Sequence, residues 1–157
     1  MAKTTRATQF LDKAGVAYTT ATYDYDPNAE RIGLQAAEAI GEHPSRVLKT
    51  LMAELDGKPV CVVVPSDKEV SMKKLASAFG GKSAAMMKPA NAEKLTGFVV
   101  GGISPFGQKK RVPTAIEISA MDEALVYVNG GQRGLQVRLS PQDALKALVA
   151  FAADLVA

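Results

Sequence analysis

Residues 96–111 read TGFVVGGISPFGQKKR, a stretch whose chemistry lies in its backbone. Gly101 and Gly102 lack a Cβ, so a ligand can approach the main chain closely and positive φ costs little. Pro105 locks its own φ and restricts Ser104 before it. Lys109, Lys110 and Arg111 close the stretch and supply attraction for an anion. A glycine-rich turn followed by a solvated charge run is the other reading of the same residues. The second chemical feature is Lys49. In a strand, Val47, Lys49 and Leu51 share one face and Leu48, Thr50 and Met52 the other, and both faces look apolar. An ammonium in such surroundings needs a partner. A bound phosphate or carboxylate would satisfy it, and so would snorkelling to the strand's end.

Nucleophile and base pairs have little material here. His43, the only histidine, directly precedes Pro44 in an expected turn, and Cys61, the only cysteine, lies in an apolar run and reads as a small core residue. Neither a Ser-His-Asp nor a Cys-His arrangement has good candidates. Clusters of His and Cys that hold zinc do not exist in this composition, and no metal or cofactor is expected. Gly81-Lys82-Ser83 mimics the end of a phosphate-binding P-loop, but that motif needs glycine at position 76, where Ala76 stands. Met86 and Met87 read as core filling. Catalysis by this chain would rest on backbone dipoles, Lys49 and hydroxyls, with help from the substrate, which restricts it to a reactive bond such as an ester.

Short elements must position these groups. Residues 5–14 form an expected helix, capped by Thr4 and ended by Gly15. Residues 16–23 read as a strand that runs into a turn at Asp26-Pro27-Asn28, with Tyr23 at its rim. A helix over 34–40 closes at Gly41. A strand over 46–54 turns at Asp56-Gly57 into a return strand over 60–64. Ser71 caps a helix over 71–79, a short strand covers 83–87, and Pro89 opens a small helix to residue 95. Strands follow over 114–118, 125–128 and 135–139, the last two joined by a turn at Asn129-Gly130-Gly131. Ser140 caps the final helix, whose apolar stripe is Leu145, Leu148, Val149, Ala152 and Leu155. Seven or eight strands with four or five short helices make a mixed α/β domain in which hairpins dominate. Nothing divides residues 1–157 into two domains.

No segment approaches the run of about 18 apolar residues needed for a membrane span, the first residues lack the apolar core of a signal peptide, and one cysteine forms no internal disulfide. A cytoplasmic location is expected. The formal net charge of +3 is unevenly placed: residues 68–111 hold nine Lys and Arg against Glu69 and Glu93, a local excess of seven. A basic middle in a near-neutral chain suggests a face for a polyanion, although surface lysines also serve solubility alone.

Several motifs stand in the order found in YbaK-type proteins: Tyr23-Asp24 with Asp26-Pro27, Val47-Leu48-Lys49-Thr50-Leu51, and Thr96-Gly97 with Val100-Gly101-Gly102-Ile103-Ser104-Pro105. Gly107-Gln108-Lys109-Lys110-Arg111 with Pro113-Thr114 follows, then Tyr127-Val128, Gly130-Gly131 and Arg133-Gly134-Leu135. Over nearly its whole length the chain resembles these Cys-tRNA(Pro) deacylases, which are similar to the editing domain inserted in bacterial prolyl-tRNA synthetases. The resemblance implies a mixed α+β fold: a central, mixed, largely antiparallel, barrel-like sheet of about seven strands flanked by short helices. It implies trans-editing, in which cysteine misattached to tRNA(Pro) is removed in partnership with prolyl-tRNA synthetase, and the substrate's own thiol begins the release by attacking its ester carbonyl.

By position, the resemblance makes Lys49 the essential lysine, holding the terminal phosphate or orienting the aminoacyl end, with Thr50 beside it. Gly101, Gly102, Ile103, Ser104 and Pro105 would surround the aminoacyl group and polarise the ester through main-chain N–H groups. Tyr23 would bond to or stack on the 3′ end, and Lys109, Lys110 and Arg111 would contact phosphates. Two positions depart from the family pattern: Asn129 stands for a usual Ser, and Gln136 for a usual Asp, which replaces an anion with a neutral amide. Two alternatives remain open at this level: a deacylase for another small amino acid such as alanine on tRNA(Pro), or a non-catalytic module that binds tRNA ends or a synthetase.

Overall fold

The computed structural model describes residues 4–30 and 34–157. Helix α1 (Arg6–Lys13) is capped by Thr5, one residue later than expected, because Thr8 at the third helical position returns the bond. The Thr8 N–H donates to Thr5 Oγ1 at 3.1 Å and the Thr5 N–H to Thr8 Oγ1 at 2.8 Å. Strand β1 (Thr19–Thr22) and helix α2 (Gln35–Ile40) precede the long hairpin of β2 (Leu48–Leu55) and β3 (Lys58–Pro65). Asp56 and Gly57 turn that hairpin with φ of +50° and +83°, the pair of positive angles that matches the twist of the strands. Helix α3 (Met72–Ala78), strand β4 (Ala84–Met86), helix α4 (Pro89–Thr96) and strand β5 (Thr114–Glu117) follow. Strands β6 (Val126–Asn129) and β7 (Leu135–Leu139), helix α5 (Pro141–Leu148) and strand β8 (Phe151–Ala153) complete the order.

The mixed α+β class holds, but the barrel-like description is loose. Among the described residues eight strands form two sheets, a three-stranded β1-β7-β6 and a five-stranded β4-β2-β3-β5-β8. The sheets meet at a parallel bridge between Val47 and Tyr127 and do not close into a barrel. Parallel pairs β3 with β5 and β5 with β8 join segments far apart in the chain.

The last helix is shorter than its apolar stripe suggests. It ends at Leu148, where Val149 adopts φ +52° and is 77% exposed. Beyond it the edge of β5 offers unpaired backbone groups, and residues 151–153 add to that ladder as β8 instead of continuing the helix. Leu155 then reaches a second core beside Val62 and Leu75, its N–H donating to the Glu117 carboxylate at 2.8 Å. Cys61 is fully buried as expected, and burial pushes its thiol up to about 12, which makes it inert as a nucleophile.

Candidate active site

The junction of the two sheets opens into a cleft of about 290 Å³, near the small end of the range for ligand pockets. The register builds it. Two residues beyond the Val47–Tyr127 bridge, β2 presents Lys49 and β6 presents Asn129. Asn129 pairs with Gln136 on β7, and Gln136 with Ala21 on β1. Tyr23 extends that edge, its N–H bonding the Gly134 carbonyl at 2.9 Å. Lys49, Thr50, Asn129, Gln136 and Tyr23, which lie up to 113 positions apart in the chain, thus share one wall.

Gly101 and Ile103 come to the same cleft from the 96–111 stretch. The stretch is anchored at both ends. Phe98 and Phe106 are buried, the Lys109 N–H closes onto the Thr96 carbonyl at 2.8 Å, and Phe106 stacks against Phe10 with ring centroids 6.1 Å apart. Gly101 has φ +90°, and a Cβ there would lie 2.6 Å from the Tyr25 hydroxyl. A Cβ on Gly102 would instead meet the Arg133 backbone nitrogen at 2.8 Å, so this glycine is needed for packing under the cleft rather than for its surface.

The backbone donors of this loop divide in alternation. The Val100 N–H donates to the Glu93 carboxylate at 2.8 Å and the Gly102 N–H to the Val99 carbonyl at 2.8 Å. The N–H groups of Gly101 and Ile103 donate to no acceptor among the described residues. Those two are left without a protein partner on a loop that lines the cleft.

Asn129 holds the loop in place. Its Nδ2 donates to the Gly101 carbonyl at 3.2 Å, and its Oδ1 accepts from the Gly131 N–H at 2.7 Å. Asn129→Ala removes this pin and leaves two partly buried groups without it. The expected cost is about 1–3 kcal/mol, measured as a lower midpoint in thermal or denaturant unfolding.

Lys49 is the only formally charged side chain on the cleft wall among the described residues. Its Nζ lies 4.0 Å from the carboxylate of Glu69, whose side chain is 90% exposed, a contact that contributes little and leaves the ammonium able to bind an anion. Burial pushes the Tyr23 phenol up, and the neighbouring Tyr25 adds to the shift, while the Gln136 amide and the Gly134 backbone draw it back. Tyr23 is therefore a neutral hydrogen-bonding group at physiological pH.

Not every expected site residue reaches this cleft. Ser104 is fully buried, its hydroxyl accepting from the Phe106 N–H at 3.1 Å and its carbonyl from the Gln108 amide at 3.0 Å. Pro105 faces the core side of the loop. Arg111 donates to the Leu148 carbonyl at 3.2 Å, at the end of α5. Lys109 and Lys110 join Asn91 and Lys94 in a separate open groove. Helix α4 links the two places, since its Pro89 and Ala92 line the cleft and its Asn91 and Lys94 line the groove.

Other residues on the wall carry no motif-like signal. Tyr25 does so from the segment after β1, with the Arg133 guanidinium 5.1 Å from its ring centroid and Arg133 Nε donating to the Val100 carbonyl at 2.9 Å. Its spacing of two from Tyr23 was the available clue, because residues two apart share a face in extended chain. Met86 is 47% exposed at the rim, so it is not core filling; Met87 lines the cleft while packing on the core.

Fold and cleft together define an α+β protein that offers an anion one ammonium and offers a polar ligand two backbone donors. Residues 26–147 match the aminoacyl-tRNA editing domain. A protein of Enterococcus faecalis named as a candidate Cys-tRNA(Pro)/Cys-tRNA(Cys) deacylase, EbsC, is 32% identical over 140 residues, covering 88% of this chain and 84% of its own. The Escherichia coli K12 protein named multifunctional Ser/Thr-tRNA deacylase ProXp-y is 24% identical over 90% of this chain and 85% of its own. A solved structure described as a candidate trans-editing enzyme for prolyl tRNA synthetase shares the fold, with a TM-score of 0.81 over 97% of this chain and 95% of its own at 22% identity. The chain belongs to the aminoacyl-tRNA editing domain family, as its motifs implied. No helix among the described residues is long and apolar enough to cross a membrane.

Proposed function

We propose that this chain is a trans-acting aminoacyl-tRNA deacylase whose substrate is cysteine misattached to tRNA(Pro). The observation that carries the reading is the pairing, in one cleft, of a weakly engaged ammonium with two unspent backbone donors, on a wall that among the described residues holds no carboxylate, imidazole or thiol. A phosphate of the 3′-terminal nucleotide seats on Lys49. The ester carbonyl oxygen takes the N–H groups of Gly101 and Ile103, which stabilise negative charge as it develops there. The nucleophile comes with the cargo. The cysteine sulfur forms a bond to its own carbonyl carbon, the ester C–O bond to the ribose breaks, and the thiol's proton ends on the freed ribose oxygen. A four-membered thiolactone leaves, and water opens it to cysteine. Alanine has no thiol and serine a far weaker nucleophile at neutral pH, so both stay attached.

Tyr23 and Tyr25 offer rings for the terminal base. Lys94, Lys109 and Lys110 take phosphates further along the acceptor strand, and prolyl-tRNA synthetase is the proposed partner in the cytoplasm. Release of amino acid from purified Cys-, Ser- and Ala-tRNA(Pro) tests the reading. Cysteine alone should be released; a preference for alanine would overturn thiol assistance, and binding without release would make the chain a tRNA-end binding module. Lys109→Ala and Lys110→Ala are expected to weaken tRNA binding whatever the amino acid. Each should lower the slope of log affinity against log salt by about 1, as filter binding over a salt series would measure.

A further inference from the structure

Two polar atoms on the cleft wall have no hydrogen-bond partner among the described residues: Gln136 Oε1 and Thr50 Oγ1. Gln136 is 4% exposed and sits on β7, the middle strand of its sheet, so its backbone is held from both sides by β1 and β6. Leaving a buried acceptor unpaired is costly, and a folded protein tolerates this where a ligand repays it. Gln136 Oε1 only accepts, so what it lacks is a donor.

Resting on the deacylase reading, we propose that Gln136 Oε1 and Thr50 Oγ1 form a neutral subsite that reads a hydrogen-bond donor of the substrate beside the scissile ester. That end of the substrate carries two such donors, the ribose 2′-hydroxyl and the α-amine. Charge favours the hydroxyl: among the described residues the wall's one formal charge is the Lys49 cation, and no carboxylate lies there to pair an ammonium. A carboxylate at position 136 would prefer the ammonium, so the neutral amide shifts recognition from the amino group to the sugar.

The test uses 3′-alanylamino-3′-deoxyadenosine 5′-phosphate, in which an amide replaces the ester and nothing is cleaved. Two derivatives each lack one donor, the 2′-deoxy compound and the propionyl compound without the amine. Binding is measured by calorimetry to the wild-type protein and to Gln136→Met, with Thr50→Val, which is isosteric, as the second variant should Gln136→Met fail to fold. Loss of the 2′-hydroxyl should weaken wild-type binding about tenfold, the worth of roughly one hydrogen bond, and should cost the variants little. A cost confined to the amine, and likewise lost in the variants, would support the subsite with the amine as its donor. Equal costs in wild type and variants for both deletions would overturn the subsite while leaving the deacylase reading standing. Absence of any binding of the parent compound to the wild-type protein would overturn both.

Discussion

Lys49→Ala is expected to lower kcat/KM for cysteine release by about a hundredfold while the melting temperature stays nearly unchanged. A hydrogen bond between an ammonium and a phosphate contributes about 1.5–3 kcal/mol, and each 1.4 kcal/mol is roughly one decade in rate. Nothing else on the cleft wall among the described residues replaces the lost charge. Most stability is spared because the polar contact that the substitution breaks among the described residues is a 4.0 Å ion pair whose carboxylate is 90% exposed. Single-turnover deacylation of Cys-tRNA(Pro), set beside a thermal melt of the same sample, checks both halves. Equal activity of wild type and variant would remove Lys49 from the mechanism, and a large fall in melting temperature would make it a structural residue.

Gly101→Ala should have an effect of similar size through sterics. The added Cβ would sit 2.6 Å from the Tyr25 hydroxyl, and φ of +90° is a conformation that L side chains rarely adopt. Tyr25 has little freedom to yield, since Arg133 packs over its ring and is itself bonded to the Val100 carbonyl. Either the ring moves into the cleft or the loop turns its N–H groups away from the ester. Losing oriented backbone donors of this kind costs on the order of a hundredfold in kcat. Gly102→Ala provides the contrast. Its Cβ would strike backbone at 2.8 Å below the cleft, so its main expected effect is a lower melting temperature. If Gly101→Ala loses stability and keeps full kcat/KM, the loop has no part in the chemistry.

The arrangement also explains the Asn at position 129. A hydroxyl there would offer one short arm, whereas the amide spans from the Gly101 carbonyl to the Gly131 N–H and so ties the loop to the β6–β7 turn. Gln136 has the reverse character, with an acceptor that the protein leaves unused. These two departures from the family pattern thus divide into one that positions the loop and one whose acceptor stays unengaged on the cleft wall.

Features set by neighbouring residues were legible in the sequence alone. Ser71 and Ser140 cap their helices as expected, and Asp56-Gly57 turns the long hairpin. A cap or a tight turn is decided within four residues, and the side chains that decide it are visible in the string. That Lys49 would stand out on its strand was legible for a related reason, since a charge on an apolar strand has to be answered by something nearby. What lay beyond local reading was decided by contacts between distant segments. Residues 151–153 became a strand because the edge of β5 needed a partner, and no local signal reports that need. Ser104 and Pro105, two and three residues beyond Gly102, turned inward because Phe106 had to be buried against Phe10. Tyr25 entered the wall because Arg133, more than a hundred positions away, holds its ring. Composition and spacing therefore determined which chemistry was available to this protein, and tertiary packing decided which of those groups face the same space, because a side chain in a loop points wherever the burial of its neighbours leaves room.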